Sequence, residues 1–283
     1  MELPWFRAIP YFILKEKYET ILALDDVIGL SISTRPDCLE DDVVEYLGEL
    51  NKRTNLWVEL GLQTIHDSTS KLINRGHDYD EVLKASKLIK EYGFTLGHQI
   101  MVGLPEDTFE KDVETTKESI KMKPDICRIY PALTVKNTPM EDMYLEGTYK
   151  PYTLEEAVYI SAKLYKMYKE NNIQVIRIGL QPTDNIALGK DIVDGPFHPA
   201  FRELVESSII NENIYNILKD KSGEVTIRIS NKSVSKLYAD KKRYFNELKD
   251  KAQNCNLKVK VDNSMEVDKI NIEVESKVYK IDL

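Results

Sequence analysis

Residues 57–77 read WVELGLQTIHDSTSKLINRGH, and the fold turns on how they are read. Val58, Leu60 and Leu62 alternate with Glu59, Gly61 and Gln63, the period of a strand with one apolar and one polar face. A polar stretch and the start of a helix follow at once. A strand that ends in polar groups and runs into a helix is half of a βα unit, and such units place their chemistry at the C-terminal strand ends.

The same texture recurs outward from this stretch. VIGLSIS begins at 27, TLGHQIMVGL at 95, ICRIYPAL at 126 and VIRIGL at 175. Ile28, Leu30 and Ile32 oppose Gly29, Ser31, Ser33 and Arg35. Ile100 and Val102 oppose Gln99 and Gly103; Ile129 opposes Arg128 and Tyr130; Ile176, Ile178 and Leu180 oppose Arg177, Gly179 and Gln181. Helical patterns separate the runs. Residues 11–24 put Phe12, Tyr18, Ile21 and Leu22 near one face, and 80–92 place Val82, Leu83, Leu88 and Ile89 at helical spacing. Thr108 suits a helix start, and TLEE from Thr153 suits another. Strands alternating with helices at roughly 30–50 residues per unit indicate a parallel sheet. A doubly wound sheet would be apolar on both faces. Here one face is small or polar on all five runs, which suits an α/β barrel-type sheet whose inner face lines a cavity.

From about residue 209 the texture changes to VTIRIS, a helix-like stretch, LKVKVD and INIEVESKVYKIDL. The expected domains are a partial barrel over 1–208 and a small α+β appendage over 209–283. The 283 residues carry a net charge of -8, with 42% hydrophobic and 30% charged residues. That balance gives no support to a broad nucleic-acid surface. No apolar run has the length of a membrane span, and the N-terminus carries no secretion signal, so a cytoplasmic protein is expected. The three cysteines, Cys38, Cys127 and Cys255, are scattered, with no CxxC spacing, so neither a disulfide framework nor a metal site is expected. His98 should face the helices as a packed core histidine. His66 and His77 read as structural and His198 as a loop anchor.

The run ELGLQTIHDSTSKLINRGHDYDEVLKASKLIKEYGFTLGHQIMVGLPEDT resembles the radical SAM superfamily, in its Elp3-like bacterial branch. LSISTRPDCL, RIYPALTVKNTPMEDMY, RIGLQPTDN and GPFHPAFRELVES carry the same resemblance, which covers about residues 12–208. It implies a partial (β/α) barrel that binds S-adenosylmethionine (SAM) at the C-terminal strand ends. In that family a 4Fe-4S cluster held by three cysteines cleaves SAM reductively, in some relatives to modify tRNA. Carried over by position, Gln63 would contact the ribose or methionyl part, Arg75 the methionyl carboxylate and Gln99 the ribose. Gly103 would let the backbone approach the adenine. Arg35, Glu59, Arg128, Tyr130, Arg177 and Gln181 would line the substrate side of the cavity.

The family's first two strands and its CxxxCxxC loop would precede STRPD, so the expectation is a barrel lacking those strands, without a cluster and inactive alone. The strand near 27–33 would then have an open edge, which a partner chain or a further N-terminal segment could cover. Two alternatives stand beside this reading: a non-catalytic scaffold or SAM-binding module, and an unrelated barrel enzyme that binds an anionic small molecule. The substrate is unknown on any of the three.

Overall fold

The computed structural model describes residues 10–183, 186–187 and 189–282. The N-terminal residues read for a secretion signal, up to Ile9, and Asp184 and Asn185 of RIGLQPTDN lie outside them. In chain order the elements begin with α1 (Tyr11–Leu22), β1 (Gly29–Thr34), a 3-10 turn at Pro36–Cys38, α2 (Asp41–Asn51) and β2 (Asn55–Gln63). Next come α3 (Asp67–Leu72), α4 (Tyr79–Glu91), β3 (Thr95–Val102), α5 (Phe109–Lys121) and β4 (Ile126–Pro131). β5 (Thr134–Val135), α6 (Pro139–Leu145), α7 (Leu154–Glu170), β6 (Gln174–Ile178) and β7 (Ile192–Asp194) follow. The chain closes with α8 (Phe201–Leu218), β8 (Gly223–Ile229), α9 (Val234–Leu237), α10 (Ala239–Lys251), β9 (Cys255–Val261), β10 (Lys269–Val274) and β11 (Lys277–Asp282).

Two compact units result: residues up to Thr153 with Lys163–Phe197, and Leu154–Ala162 with His198 onward. Helix α8 runs through position 208, where the sequence texture changes. No helix among the described residues is long and apolar enough to cross a membrane.

The first unit holds a five-stranded sheet in the order β1-β2-β3-β4-β6, every neighbouring pair parallel. All five expected strands are present. Val58 pairs with Leu96, and Ile100 with Ile129. These four side chains, with Leu60 and Leu62, are essentially excluded from solvent. Burying a side chain of that size stabilises the fold by about 1.5–3 kcal/mol. The core at this end of the sheet continues into α2 and α4 through Val44, Leu47, Leu50 and Ile89.

Local chemistry sets the helix starts. Asp78 and Glu81 form a reciprocal capping box on α4. Thr108 Oγ1 accepts from the Lys111 N–H at 3.3 Å on α5. His98 is the expected core histidine, held at 3.0 Å from Ser86 Oγ and 2.9 Å from Ser119 Oγ. Burial, with a smaller contribution from Lys90, pushes its pKa down to about 3.

Three expectations need correction. Ile28 precedes β1 and is 83% exposed, because the strand begins one residue later. On α1, Tyr18 and Leu22 pack on the core with Tyr11 and Leu14, whereas Phe12 and Ile21 are exposed; the inward stripe is rotated from the one expected. The segment after β6 contains β7, a strand outside the five expected runs, which pairs antiparallel with β5.

The second unit is α+β. Its four-stranded sheet runs β11-β10-β8-β9, with β8 and β9 parallel and the other pairs antiparallel. Val225, Ile227, Ile229, Ile270 and Ile272 pack one face of the sheet against Ile210 and Ile214 of α8 and Phe245 and Leu248 of α10.

Candidate functional site

The polar face of the five-stranded sheet carries a connected network. Glu59 on β2 is 1% exposed. Its two oxygens accept from Arg128 Nε and, at 2.8 Å, from Arg128 Nη2 on β4. They also accept from Ser31 Oγ at 3.0 Å and Gln99 Nε2 at 3.2 Å, and Gln99 Nε2 reaches Ser33 Oγ at 3.0 Å. The carboxylate must cross β3 to meet Arg128, and Gly97 makes that possible. Gly97 stands opposite Glu59 in register, and a Cβ there would lie 2.6 Å from Glu59 Cγ. Burial alone would raise the pKa of Glu59, but the donors from Arg128, Gln99 and Ser31 outweigh it and leave the group below its ordinary value. The same pairing, aided by Tyr130, holds the Arg128 guanidinium above its usual range. Arg177, the register partner of Arg128, donates to Gln181 Oε1 at 3.1 Å.

A second cluster lies at the C-terminal end of β2. An extra residue in β2 between Leu60 and Gln63 makes a bulge against β3. Gln63 adopts a left-handed backbone with φ of 62°. Arg75 folds back over this point and donates from Nη2 to Gly61 O at 2.9 Å. A Cβ on Gly61 would fall 2.2 Å from Arg75 Nη2 and 3.1 Å from Gln63 Nε2, so only glycine admits this arrangement. Arg35 joins the cluster: it would lie 2.8 Å from a Cβ on Gly76, and Asp37 holds it through Nε at 2.9 Å. Burial, then repulsion from Arg35, lowers the pKa of Arg75, while Asp37 acts in the opposite sense. Burial also lowers that of His77.

Three buried polar atoms here have no hydrogen-bond partner among the described residues: Gln63 Oε1, Arg75 Nε and His77 Nε2. Buried groups of this kind are ordinarily satisfied. An open acceptor beside an open cationic donor suits a ligand that carries an ammonium and a carboxylate together.

The sequence-expected residues therefore divide. Glu59, Gln99, Arg128 and Tyr130 come together, and Arg177 with Gln181 adjoins them through β6. Gln63 and Arg75 meet at Gly61. Arg35, expected on the substrate side, lies beside the Arg75 cluster, against Gly76 and Asp37. Gly103 has φ of 74°, and a Cβ there would lie 2.7 Å from the Tyr152 ring. Tyr152 donates to Asp112 at 3.0 Å, whose pKa burial pushes up to about 7. Gly61, Gly97, Ser31, Ser33 and Asp37 were not singled out as site residues. Their roles depend on register and on a side chain reaching across a strand, and no single run of sequence displays either. His198 is a loop anchor, its Nδ1 accepting from the Ala200 N–H at 3.1 Å.

The cysteines do not converge. Cys127 is fully buried, Cys38 is half-buried beside Asp37, and Cys255 belongs to the second unit. Burial, then Asp37, raises the pKa of Cys38, and burial pushes Cys127 up to about 12. Among the described residues no three His, Cys, Asp or Glu side chains gather as metal ligands.

Comparison with known proteins shows the family. The sequence family described as the radical SAM superfamily matches residues 9–119, and that described as the radical SAM C-terminal domain matches residues 124–211. The protein YtqA of Bacillus subtilis is 46% identical over 49% of this chain and 43% of its own length. A tRNA uridine(34) acetyltransferase of Methanocaldococcus jannaschii is 36% identical over 47% of this chain and 25% of its own length. The chain thus spans less than half the length of these relatives. The solved structure of the archaeal Methanocaldococcus infernus Elp3 with an N-terminal deletion superposes with a TM-score of 0.59 at 29% identity, over 66% of this chain and 42% of that one. The alternative of an unrelated anion-binding barrel is set aside. With both matches in sequence order along one parallel βα sheet, the chain belongs to the radical SAM superfamily.

Proposed function

We propose that this chain binds SAM on the polar face of its five-stranded sheet and serves a radical SAM modification of RNA. The observation that carries the reading is the pair of unsatisfied buried atoms, Gln63 Oε1 and Arg75 Nε, beside a glycine that leaves no room for a side chain. Arg75, with Arg35 behind it, faces the methionyl carboxylate, and Gln63 accepts from the ammonium. Gln99, already tied to Glu59 and Ser33, holds the ribose. Gly103 meets the adenine through its backbone alone, since Tyr152 fills the space a side chain would take. Glu59, Arg128, Tyr130, Arg177 and Gln181 form the wall toward the substrate. Their internal pairing keeps them oriented before anything binds. Bound SAM supplies radical chemistry in this family, and what these residues do is bind and orient it. RNA as substrate class rests on the activity named for the M. jannaschii relative.

Titration calorimetry with SAM tests the reading. The protein should bind, and Arg75→Ala should weaken binding about 10- to 100-fold, as expected for loss of a charge-assisted hydrogen bond. No binding by the unaltered protein, or equal binding by Arg75→Ala, would defeat it. The scattered cysteines favour a second reading, a SAM-binding module that does not carry the cluster itself. Iron analysis after anaerobic supply of iron and sulfide separates the two: a stoichiometric cluster removes the second.

A further inference from the structure

The second unit offers a surface that the cofactor reading does not use. Val225, Ile227, Ile229, Ile270 and Ile272 commit one face of its sheet to helices. The residues between them lie on the other face, and register sets them in rows. Lys280 of β11, Asn271 of β10, Arg228 of β8 and Lys260 of β9 are successive partners and form one row across all four strands. The next row is Val278, Glu273, Thr226 and Lys258. At about 4.8 Å per strand the first row is roughly 14 Å long.

This row holds three cations and no carboxylate. Arg228 pairs with Glu273 in the neighbouring row. Lys280 acts on the Glu266 carboxylate at longer range, behind the Lys269 that pairs with it. Lysines on edge strands commonly serve only to block pairing with other chains. That accounts for Lys258 and Lys260 on β9 and Lys280 on β11. It does not account for Arg228 and Asn271, which occupy the two central strands, where no edge needs guarding. The face combines cations at the strand repeat with a carboxamide and a hydroxyl, Asn271 and Thr226, and its carboxylates Glu273 and Glu224 are paired to Arg228 and Lys258. A plane of lipid would instead call for an apolar anchor, and Val278 is the single apolar side chain in these two rows.

We infer that this face binds the sugar-phosphate backbone of a single RNA strand, with Arg228, Lys260 and Lys280 on phosphates and Asn271 as a hydrogen-bonding neighbour. The choice of RNA among polyanions rests on the functional reading above; the row of cations does not.

The test uses the full chain and a fluorescently labelled oligouridylate, read by anisotropy at several salt concentrations. The unaltered protein should bind at low salt. Lys260→Glu with Lys280→Glu should weaken binding about tenfold or more and reduce the slope of log K against log salt by about 1.4, two phosphates at about 0.7 each. Lys84→Glu with Lys87→Glu, on α4 of the first unit, makes the same change in net charge and should leave binding within about twofold. Circular dichroism confirms that both variants fold. Three results would overturn the inference: no RNA binding at low salt, equal losses in both double variants, or capture by phosphatidylserine vesicles without RNA binding. SAM calorimetry on the same samples keeps the cofactor reading separate, since both double variants should retain whatever SAM affinity the unaltered protein has.

Discussion

Glu59 and Lys258 both sit on the polar face of a sheet, and both are ion-paired, to Arg128 and to Glu224. The Glu59 side chain is 1% exposed and that of Lys258 59%. In the five-stranded sheet the charge is built in: a glycine is cleared beneath it, two serines and a glutamine donate to or flank it, and one arginine is aimed at it. In the four-stranded sheet the charges stand in water, and their side chains keep alternatives. The pairing looks alike in sequence, a carboxylate on one strand and a cation on another, although Glu59 reaches across β3 and Lys258 meets the adjacent strand. What differs is the dielectric around it, and with it the penalty for removing one partner.

The sharpest way to break this comparison is Glu59→Gln. It leaves Arg128 partly buried without its counter-charge and should lower the unfolding free energy by about 2–4 kcal/mol in urea denaturation at neutral pH. A loss below about 1 kcal/mol would put the inner pair on the footing of a surface one. A second prediction concerns another hidden polar group, His98. Its pKa is about 3 in the fold against 6.5 ordinarily. The unfolded chain therefore takes up a proton as pH falls through the ordinary value, while the folded chain does not. The stability that depends on neutral His98 is fully present above that value and declines by about 1.4 kcal/mol per pH unit on acidification. Asp112, whose pKa burial pushes up to about 7, contributes with the opposite sign over the same range, so the His98 slope is read as a difference. From about pH 6.5 down to about 5, the unfolding free energy of the unaltered protein, from denaturation midpoints, should fall relative to that of His98→Gln by about 1.4 kcal/mol per pH unit. The smallest effect is expected from Lys258→Ala, which should leave the urea midpoint unchanged within error. A clear shift there would show that the exposed face is also preorganised.

The fold was largely legible. Five runs of period-two alternation became five parallel strands, and Ser31, Glu59, Gln99 and Arg128 share the face the alternation gave them, whereas β6 departs from it at Ile176, where a bulge against β4 puts Val175 and Ile178 inside. The pairing within that face was not legible. Glu59, Gly97 and Arg128 belong to three separate strands, and each strand shows its own alternation but not its register with the next. The surroundings of Arg35 were not legible either, because its contacts with Asp37 and Gly76 depend on the 3-10 turn that follows Thr34. The bulge before Gln63 was invisible for a related reason: Gly61 permits it, and nothing in the run announces an extra residue. The short β5–β7 pair carries too few residues to show any period.

That bulge gives β2 a sensitivity to length as well as to composition. Beyond Leu60 the strand runs one residue ahead of β3. Leu62 can be exchanged for another apolar residue of similar volume with modest loss. Deleting one residue at Gly61 or Leu62 would restore a regular ladder, reverse the faces presented after it and draw Gln63 away from Arg75. Among homologous sequences, then, this strand should vary in its letters while keeping its count. A gap in an alignment at this point would mark a protein that had given up the site.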